Sequence, residues 1–144
     1  MIRSLDTSFI IQEFVPLKVY EYWGDKSLWF INPKMILFCQ WLKDQTGSIV
    51  TVNDWCFGGS YQYSGFRPFD CMIGARFSQH RLGNAIDIKV KGWEAEKVRD
   101  FIRRYFLYLN QEFYLSTIEK ATPTWVHVDF RYTGLRELLE VNYK

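Results

Sequence analysis

The stretch of sequence that decides the fold reads Ser78-Gln79-His80-Arg81-Leu82-Gly83-Asn84-Ala85-Ile86-Asp87. From residue 84 to residue 90, apolar and polar positions alternate, which is typical of a strand with one buried face. The residues on that buried face are Ile86, Ile88 and Val90. Asp87 therefore points away from the core, and His80 lies on the loop that enters the strand.

A second stretch has the same character and reads Trp125-Val126-His127-Val128-Asp129-Phe130-Arg131. Its alternation predicts another strand over residues 124–132. His80 and His127 are the two histidines of the chain, and each has an aspartate close by. If the two strands are neighbours, Asp87 and His127 point the same way with their Cβ atoms about 4.5 to 5.5 Å apart. His80 can then fold over the same face, so the three side chains converge.

Two imidazoles and one carboxylate are a ligand set that suits zinc, at roughly 2.0 to 2.2 Å per bond. Three protein ligands are the usual number for a catalytic zinc site, because the fourth position is left for water. The acidity of that water rises enough to yield hydroxide near neutral pH. The sequence therefore predicts a mononuclear Zn²⁺ site held by His80, Asp87 and His127.

Two helices and two further strands complete the predicted fold. Asn32 can cap a helix and Pro33 suits its first position, so a helix is predicted over residues 33–45, ending at Gly47. Helical spacing of apolar residues predicts a second helix over residues 93–110. The other predicted segments are strands over residues 48–52 and 113–118 and a long structured loop over residues 53–77. The residues expected on the buried helix faces are Met35, Phe38, Cys39, Leu42, Val98, Phe101, Ile102, Tyr105 and Leu109. We predict one α+β domain over residues 1–144, with a central antiparallel sheet flanked by helices.

Composition limits the classes of function. The chain has 144 residues, 48% of them hydrophobic, and a formal net charge of +2, so a nucleic-acid partner is not expected. The three cysteines lack the spacing of a disulfide framework or a cysteine zinc site, so reduced thiols are expected. Polar residues interrupt the apolar stretches of residues 1–17, so neither a signal peptide nor a membrane span is predicted there. We expect a cytoplasmic protein that must be released or delivered to any substrate outside the cell.

The two stretches resemble a known family. S-x-H-x-x-G-x-A-x-D followed by W-V-H-V-D is similar to the motifs of zinc D-alanyl-D-alanine carboxypeptidases and related phage endolysins. These enzymes share a metal-site fold with lysostaphin-type peptidases and the hedgehog domain. Ser64-Gly65-Phe66-Arg67-Pro68 also looks like the family's S-G-[YF]-R segment. The resemblance covers residues 48–132, within a motif-bearing core of about residues 33–132.

The resemblance implies hydrolysis of peptide bonds in the stem peptides of bacterial peptidoglycan by metal-activated water, as a carboxypeptidase or an endopeptidase. It carries His80, Asp87 and His127 over as zinc ligands. Arg67 carries over as the cation that holds a substrate carboxylate, a role that suits a planar guanidinium. Ser78 is implied to support the His80 loop or the substrate through a hydrogen bond. The family also implies a phage-encoded protein, which we expect to be a monomer.

The general base is not evident from the motif. Branches of the family place a glutamate three residues before the last ligand or a histidine two before it, where this chain has Thr124 and Trp125. Asp129 lies on the same strand face as His127 and is the candidate base. Its alternative role is to accept the N–H of a ligand imidazole and fix its tautomer. Glu119 is a weaker candidate that requires a bend in the chain.

Other functions remain open from the sequence. One is a zinc-binding module without turnover, with a cell-wall-binding or virion structural role, which the residues at 124 and 125 favour. Another is a metallohydrolase that acts on a different amide. Purely structural roles are also open for the charged residues. Asp129 and Arg131 can form an ion pair with each other, and Arg76 and Arg81 can be solvated surface residues.

Overall fold

The computed structural model describes residues 5–143, which form four α-helices and one five-stranded sheet. The helices are α1 (Leu17–Trp23), α2 (Pro33–Thr46), α3 (Ala95–Arg104) and α4 (Phe106–Phe113). The strands are β1 (Val50–Thr51), β2 (Ala85–Val90), β3 (Thr117–Lys120), β4 (Val126–Asp129) and β5 (Leu139–Asn142). Short 3-10 helices cover Ile11–Glu13, Gly24–Phe30 and Trp55–Phe57. The predicted α+β class is confirmed.

The sheet has the strand order β1-β2-β4-β3-β5. The pairs β1–β2, β2–β4 and β4–β3 are antiparallel, as predicted. Strand β5 pairs with β3 in parallel, so the sheet is mixed rather than wholly antiparallel. No strand was predicted there, because residues 139–142 form an edge strand that is half-buried or exposed throughout and lacks a clear alternation.

The helix predicted over residues 33–45 is confirmed as α2. The Asn32 side chain accepts a hydrogen bond from the Lys34 backbone N–H at 3.0 Å, which caps the first turn. Gly47 ends the helix in the left-handed conformation, with φ of 65°. The four residues predicted on its inner face are buried, and Phe38 packs against Phe130, the residue after β4, with ring centroids 6.1 Å apart.

The prediction of one continuous helix over residues 93–110 was wrong, because the chain forms α3 and α4 there. Tyr105 separates them, with φ of −100° and ψ of 13°, and its ring packs against Phe101 and Trp41. Helix α4 then continues to Phe113, so the strand predicted from that residue begins only at Thr117. Tyr114 ends α4 in a left-handed conformation usually taken by glycine or asparagine, so the sequence carried no stop signal.

The two faces of the sheet have different surroundings. The inward residues of β2, β3 and β4 are fully or almost fully buried and join the hydrophobic core: Ile86, Ile88, Ile118, Val126 and Val128. Helices α2 and α3 cover this face. The opposite face of the same strands carries the polar side chains, so the apolar face sets the register in which those polar residues meet.

The segment before α2 braces the loops on that polar face. Gly83 has φ of 67°, and a Cβ there would lie 1.8 Å from the backbone oxygen of Phe30. A Cβ on Gly65 would lie 2.3 Å from the backbone oxygen of Phe14. Only glycine permits these approaches, which join the loops to the N-terminal segment. Within the described part of the chain, no helix is long and apolar enough to cross a membrane.

Candidate metal centre

The sheet places two of the predicted ligands directly opposite each other. Asp87 of β2 and His127 of β4 are partners across the antiparallel pair, so both side chains rise from the same face. This is the neighbour relation that the sequence predicted.

His80 reaches the same point from the loop before β2. Its backbone N–H donates to Ser78 Oγ at 3.2 Å, and its carbonyl accepts from the N–H groups of Arg67 and Gly83. These bonds leave the His80 ring buried over the polar face. Ser78 thus supports the His80 loop, which is one of the two roles expected for it.

The three ligand atoms form a small triangle. His80 Nε2 lies 3.2 Å from Asp87 Oδ1 and 3.2 Å from His127 Nδ1, and His127 Nδ1 lies 3.0 Å from Asp87 Oδ1. Ligand atoms around a tetrahedral zinc ion, each at about 2.0 Å from it, are about 3.3 Å apart. His80, Asp87 and His127 can therefore hold a metal ion.

The outer nitrogens of both rings have partners that leave the inner nitrogens free to bind a cation. His80 Nδ1 lies 2.8 Å from the carbonyl oxygen of Gly65, which can only accept, so Nδ1 carries the hydrogen. His127 Nε2 lies 3.0 Å from Asp129 Oδ2 in the same way. In the neutral rings, two nitrogen lone pairs and a carboxylate oxygen face one another, an arrangement that a cation stabilises.

A proton can occupy the same place as that cation. Burial acts to lower the pKa of His127, but hydrogen bonds to the carboxylates of Asp129 and Asp87 outweigh it and raise the pKa to about 9. Burial acts to raise the pKa of Asp87, and the hydrogen bonds from His127 and His80 hold it well below its usual range. Protons and metal ions therefore compete for this triangle.

Asp129 is completely buried behind His127 and does not line the cleft. Its Oδ2 faces His127 Nε2, and its Oδ1 accepts from Arg131 Nε at 2.7 Å. Burial acts to raise its pKa, but these hydrogen bonds hold the pKa below its ordinary value. This is the geometry of a group that fixes an imidazole tautomer, the second of the two roles expected for Asp129.

A cleft of about 580 Å³ opens over the triangle. Besides the three ligand residues, its walls include Arg67, Ile73, Phe77, Ser78, Glu119, Trp125, Arg131 and Tyr143. Trp125 and Tyr143 pack edge to face with ring centroids 5.4 Å apart. Sequence reasoning missed this wall, because Tyr143 reaches the cleft only through the unpredicted strand β5.

Glu119 lies in β3 and lines this cleft without any bend in the chain. The register of β3 and β4 pairs Thr117 with Asp129 and Ile118 with Val128. Continued by one residue, it sets Glu119 across from His127. The Glu119 carboxylate is half-buried and has no hydrogen-bond or ion-pair partner among residues 5–143. The expectation that Glu119 needs a bend in the chain was wrong, because β3 extends to Lys120, beyond the predicted end of the strand at residue 118.

Arg67 lines the cleft but is held by the protein. Its Nε donates to the carbonyl oxygen of Tyr63 at 2.7 Å, and its Nη2 lies 3.1 Å from Asp87 Oδ2. The guanidinium thus binds the oxygen of Asp87 that does not face the triangle. In this structure Arg67 is therefore paired with Asp87, one of the three candidate metal ligands.

Arg81 was expected to be a solvated surface residue, but it is bound within the protein. Its guanidinium donates to the carbonyl oxygens of Phe69 and Cys71 and so holds the loop beside the cleft. Every residue has a backbone carbonyl, so the sequence does not show which carbonyl groups an arginine binds. This role of Arg81 could therefore not be predicted.

Neither a protein-family model, nor a curated protein, nor a solved structure matches this chain. The resemblance to the zinc peptidases therefore depends on the motif residues and their spacing.

Proposed function

We propose that this protein is a zinc-dependent hydrolase of peptide bonds in the stem peptides of bacterial peptidoglycan. The observation that carries the proposal is the triangle of His80 Nε2, Asp87 Oδ1 and His127 Nδ1, with sides of 3.0 to 3.2 Å, at the base of an open cleft. The substrate class comes from the motif resemblance.

The donor set fits zinc, because two imidazole nitrogens and one carboxylate oxygen leave a fourth position for water or substrate. When bound, zinc acts as a Lewis acid, which makes a bound water more acidic and polarises a carbonyl group. Asp129 and the Gly65 carbonyl hold the two imidazoles in the ligating tautomer, and Arg67 orients Asp87. These contacts prepare the site before substrate arrives.

Glu119 is the general base that accepts the proton of the attacking water. Its carboxylate faces the cleft beside His127 and is unpaired within the described residues, whereas both oxygens of Asp129 are engaged. Water adds through its oxygen to the carbonyl carbon of the substrate, and Glu119 accepts the proton. That proton passes to the amide nitrogen as the C–N bond breaks, so an amine and a carboxylic acid leave.

The test combines metal analysis with a digest of purified peptidoglycan. The wild-type protein is expected to carry one zinc per chain and to release soluble stem-peptide fragments. A chelator should stop the release and added zinc should restore it. Asp87→Asn should lose both zinc and hydrolysis. Asp44→Asn, which changes an exposed aspartate on α2, is the matched control and should keep both.

A second candidate is a zinc-binding module without turnover, favoured by Thr124 and Trp125 at the positions where related enzymes carry the base. Stoichiometric zinc with no fragments from any peptidoglycan would support that module and contradict the hydrolase. Zinc with chelator-sensitive cleavage of another amide, and none of peptidoglycan, would retain the chemistry and overturn the substrate.

A further inference from the structure

We propose that a second cavity beside the metal cleft binds an N-acetylated sugar of the glycan strand that carries the stem peptide. This side pocket has a volume of about 520 Å³, and its lining residues include Asn110, Tyr114, Phe130, Arg131 and Tyr132. The inference rests on the proposed function and extends it from the peptide to the glycan of the same polymer.

The side pocket adjoins the metal cleft. Arg131 lines both cavities, so its side chain forms a wall that they share. The pocket lies at the end of the sheet, where the chain leaves β4 at Phe130 and where Ser116 leads into β3. Among the described residues, no candidate metal ligand lines it. A polymer can therefore place its peptide in the cleft and its glycan in the side pocket.

Two exposed tyrosines present aromatic rings at the side pocket. Tyr114 is 63% exposed and Tyr132 is 97% exposed, and both belong to the lining. The Lys34 ammonium lies 5.5 Å from the centre of the Tyr114 ring and donates to the Glu112 carbonyl at 2.8 Å. The face of an aromatic ring is electron-rich, so it attracts the weakly positive C–H groups on the face of a sugar ring.

The backbone holds both tyrosines in place. Tyr114 has φ of 62°, in the left-handed region that a bulky residue seldom adopts. The Tyr132 ring lies against the turn at Gly134, where a Cβ would be 3.8 Å from the Tyr132 hydroxyl oxygen. Thr133 Oγ1 accepts the Leu135 N–H at 3.1 Å and closes that turn. An uncommon backbone conformation at an exposed aromatic residue points to a role outside core packing.

The polar groups of the side pocket suit a neutral ligand. Arg131 is the only charged residue among its described lining residues, and the buried carboxylate of Asp129 balances that charge. Arg131 donates to Asp129 from Nε and Nη2, whereas its Nη1 has no partner among residues 5–143. Asn110 donates from Nδ2 to the Leu115 carbonyl at 3.0 Å, and its Oδ1 accepts no hydrogen bond within the same residues. One donor and one acceptor therefore lie beside the two aromatic rings.

An N-acetylated sugar matches this set of groups. It is uncharged, its ring has C–H groups that pack on an aromatic face, and its hydroxyl and acetamido groups donate and accept hydrogen bonds. The volume of the pocket lies within the range of about 300 to 1,000 Å³ that is usual for small-molecule sites. A segment of stem peptide fits less well, because it carries several carboxylates and the pocket has one cation, which is already paired with Asp129.

The first experiment measures binding of a chitin tetramer, a soluble oligomer of N-acetylglucosamine, to the zinc-loaded full chain by isothermal titration calorimetry. Saturable binding is expected, and Tyr132→Ala should weaken it by about five- to tenfold, because a stacking face is lost. Tyr114→Gly should weaken it to a similar extent and stay folded, since glycine accepts the left-handed backbone. Tyr22→Ala is the matched control, because Tyr22 is 80% exposed but lies on α1 outside both cavities. No binding, or weaker binding in Tyr22→Ala alone, would overturn the inference.

The second experiment separates this inference from the proposed function. A stem peptide attached to its disaccharide is expected to show kcat/KM about tenfold higher than the same peptide without sugar, through a lower KM. Tyr132→Ala should remove that advantage, whereas Tyr22→Ala should retain it. Cleavage of both substrates with equal kcat/KM would overturn the inference and leave the proposed function standing. Binding of the chitin tetramer that depends on Tyr132, without cleavage of either substrate, would support the side pocket and contradict the hydrolase.

Discussion

The two faces of strands β2 and β4 are built from alternate residues of the same two segments but differ in the kind of contact that holds them together. On one face, Ile86 and Val128 are fully buried against the helices, where packing is non-directional. On the other, Asp87 and His127 meet within 3.0 Å, and their contacts depend on direction. The difference teaches that the apolar face fixes the register, and that the register then sets the distances of the metal triangle, because a slip of one residue would exchange the faces.

The largest effect is expected on the polar face, at Glu119. Glu119→Gln should lower kcat by about 10²- to 10⁴-fold, because the amide cannot accept the proton, while zinc affinity stays unchanged. Steady-state kinetics and zinc titration measure the two quantities. Glu137→Gln, which changes an exposed glutamate away from the cleft, is the control. Normal kcat in Glu119→Gln would assign the base to another group.

On the apolar face, Ile86→Ala should lower the free energy of unfolding by about 2 to 5 kcal/mol, because a cavity forms in a close-packed core. Urea denaturation measures the loss. The protein that remains folded should still bind zinc, since no ligand changes. Ile49→Ala at an exposed position is the matched control, and an equal loss there would show that burial is not the cause.

Asp129→Asn tests whether the buried carboxylate behind His127 supports zinc binding or accepts the proton. The variant should bind zinc about 10- to 100-fold more weakly, because the partner of His127 Nε2 loses its charge. At saturating zinc, most of kcat should return. A deep loss of kcat that zinc does not reverse would instead make Asp129 the base.

The smallest effect concerns a half-buried carboxylate outside the site, that of Glu13. Burial raises the pKa of Glu13 above its ordinary value, although its Oε2 accepts the Ile10 N–H. The folded state therefore binds this proton more tightly than the unfolded state. The resulting stability is complete below the unfolded pKa of Glu13 and is lost as pH rises through the folded pKa.

Glu13→Gln should accordingly raise stability at neutral pH, by no more than about 1 kcal/mol since the group is partly solvated. Thermal melts from pH 4 to pH 7 should show a smaller fall in Tm for the variant than for the wild-type protein. Parallel curves would indicate that Glu13 titrates normally.

Much of the fold was predictable because alternation and capping are local signals. The pattern at Ile86 and Ile88 identified β2, and Asn32 with Pro33 identified the start of α2. Residues whose role depends on non-local placement were not predictable. Tyr114 ends α4 without a stop signal, and β5 is an edge strand that lacks a clear alternation.

The same limit applies to the candidate site. His80, Asp87 and His127 could be chosen from spacing, because alternation puts Asp87 and His127 on the polar faces of two strands and His80 lies on the loop that enters the first of them. The sequence favoured Asp129 over Glu119 as the base, because it shows neither which strand lies beside β4 nor which carboxylate is buried. The partner of Arg67 is likewise a matter of three-dimensional contact.

The glycine contacts with the N-terminal segment have a practical consequence for protein engineering. Phe14 and Phe30 present backbone oxygens to Gly65 and Gly83, and Gly65 in turn accepts from the His80 ring. A truncated protein that starts at α2 would keep every metal ligand but lose the scaffold behind two of the loops that orient them. Minimal versions for biotechnology should therefore retain residues 5–32, although that segment carries none of the motifs.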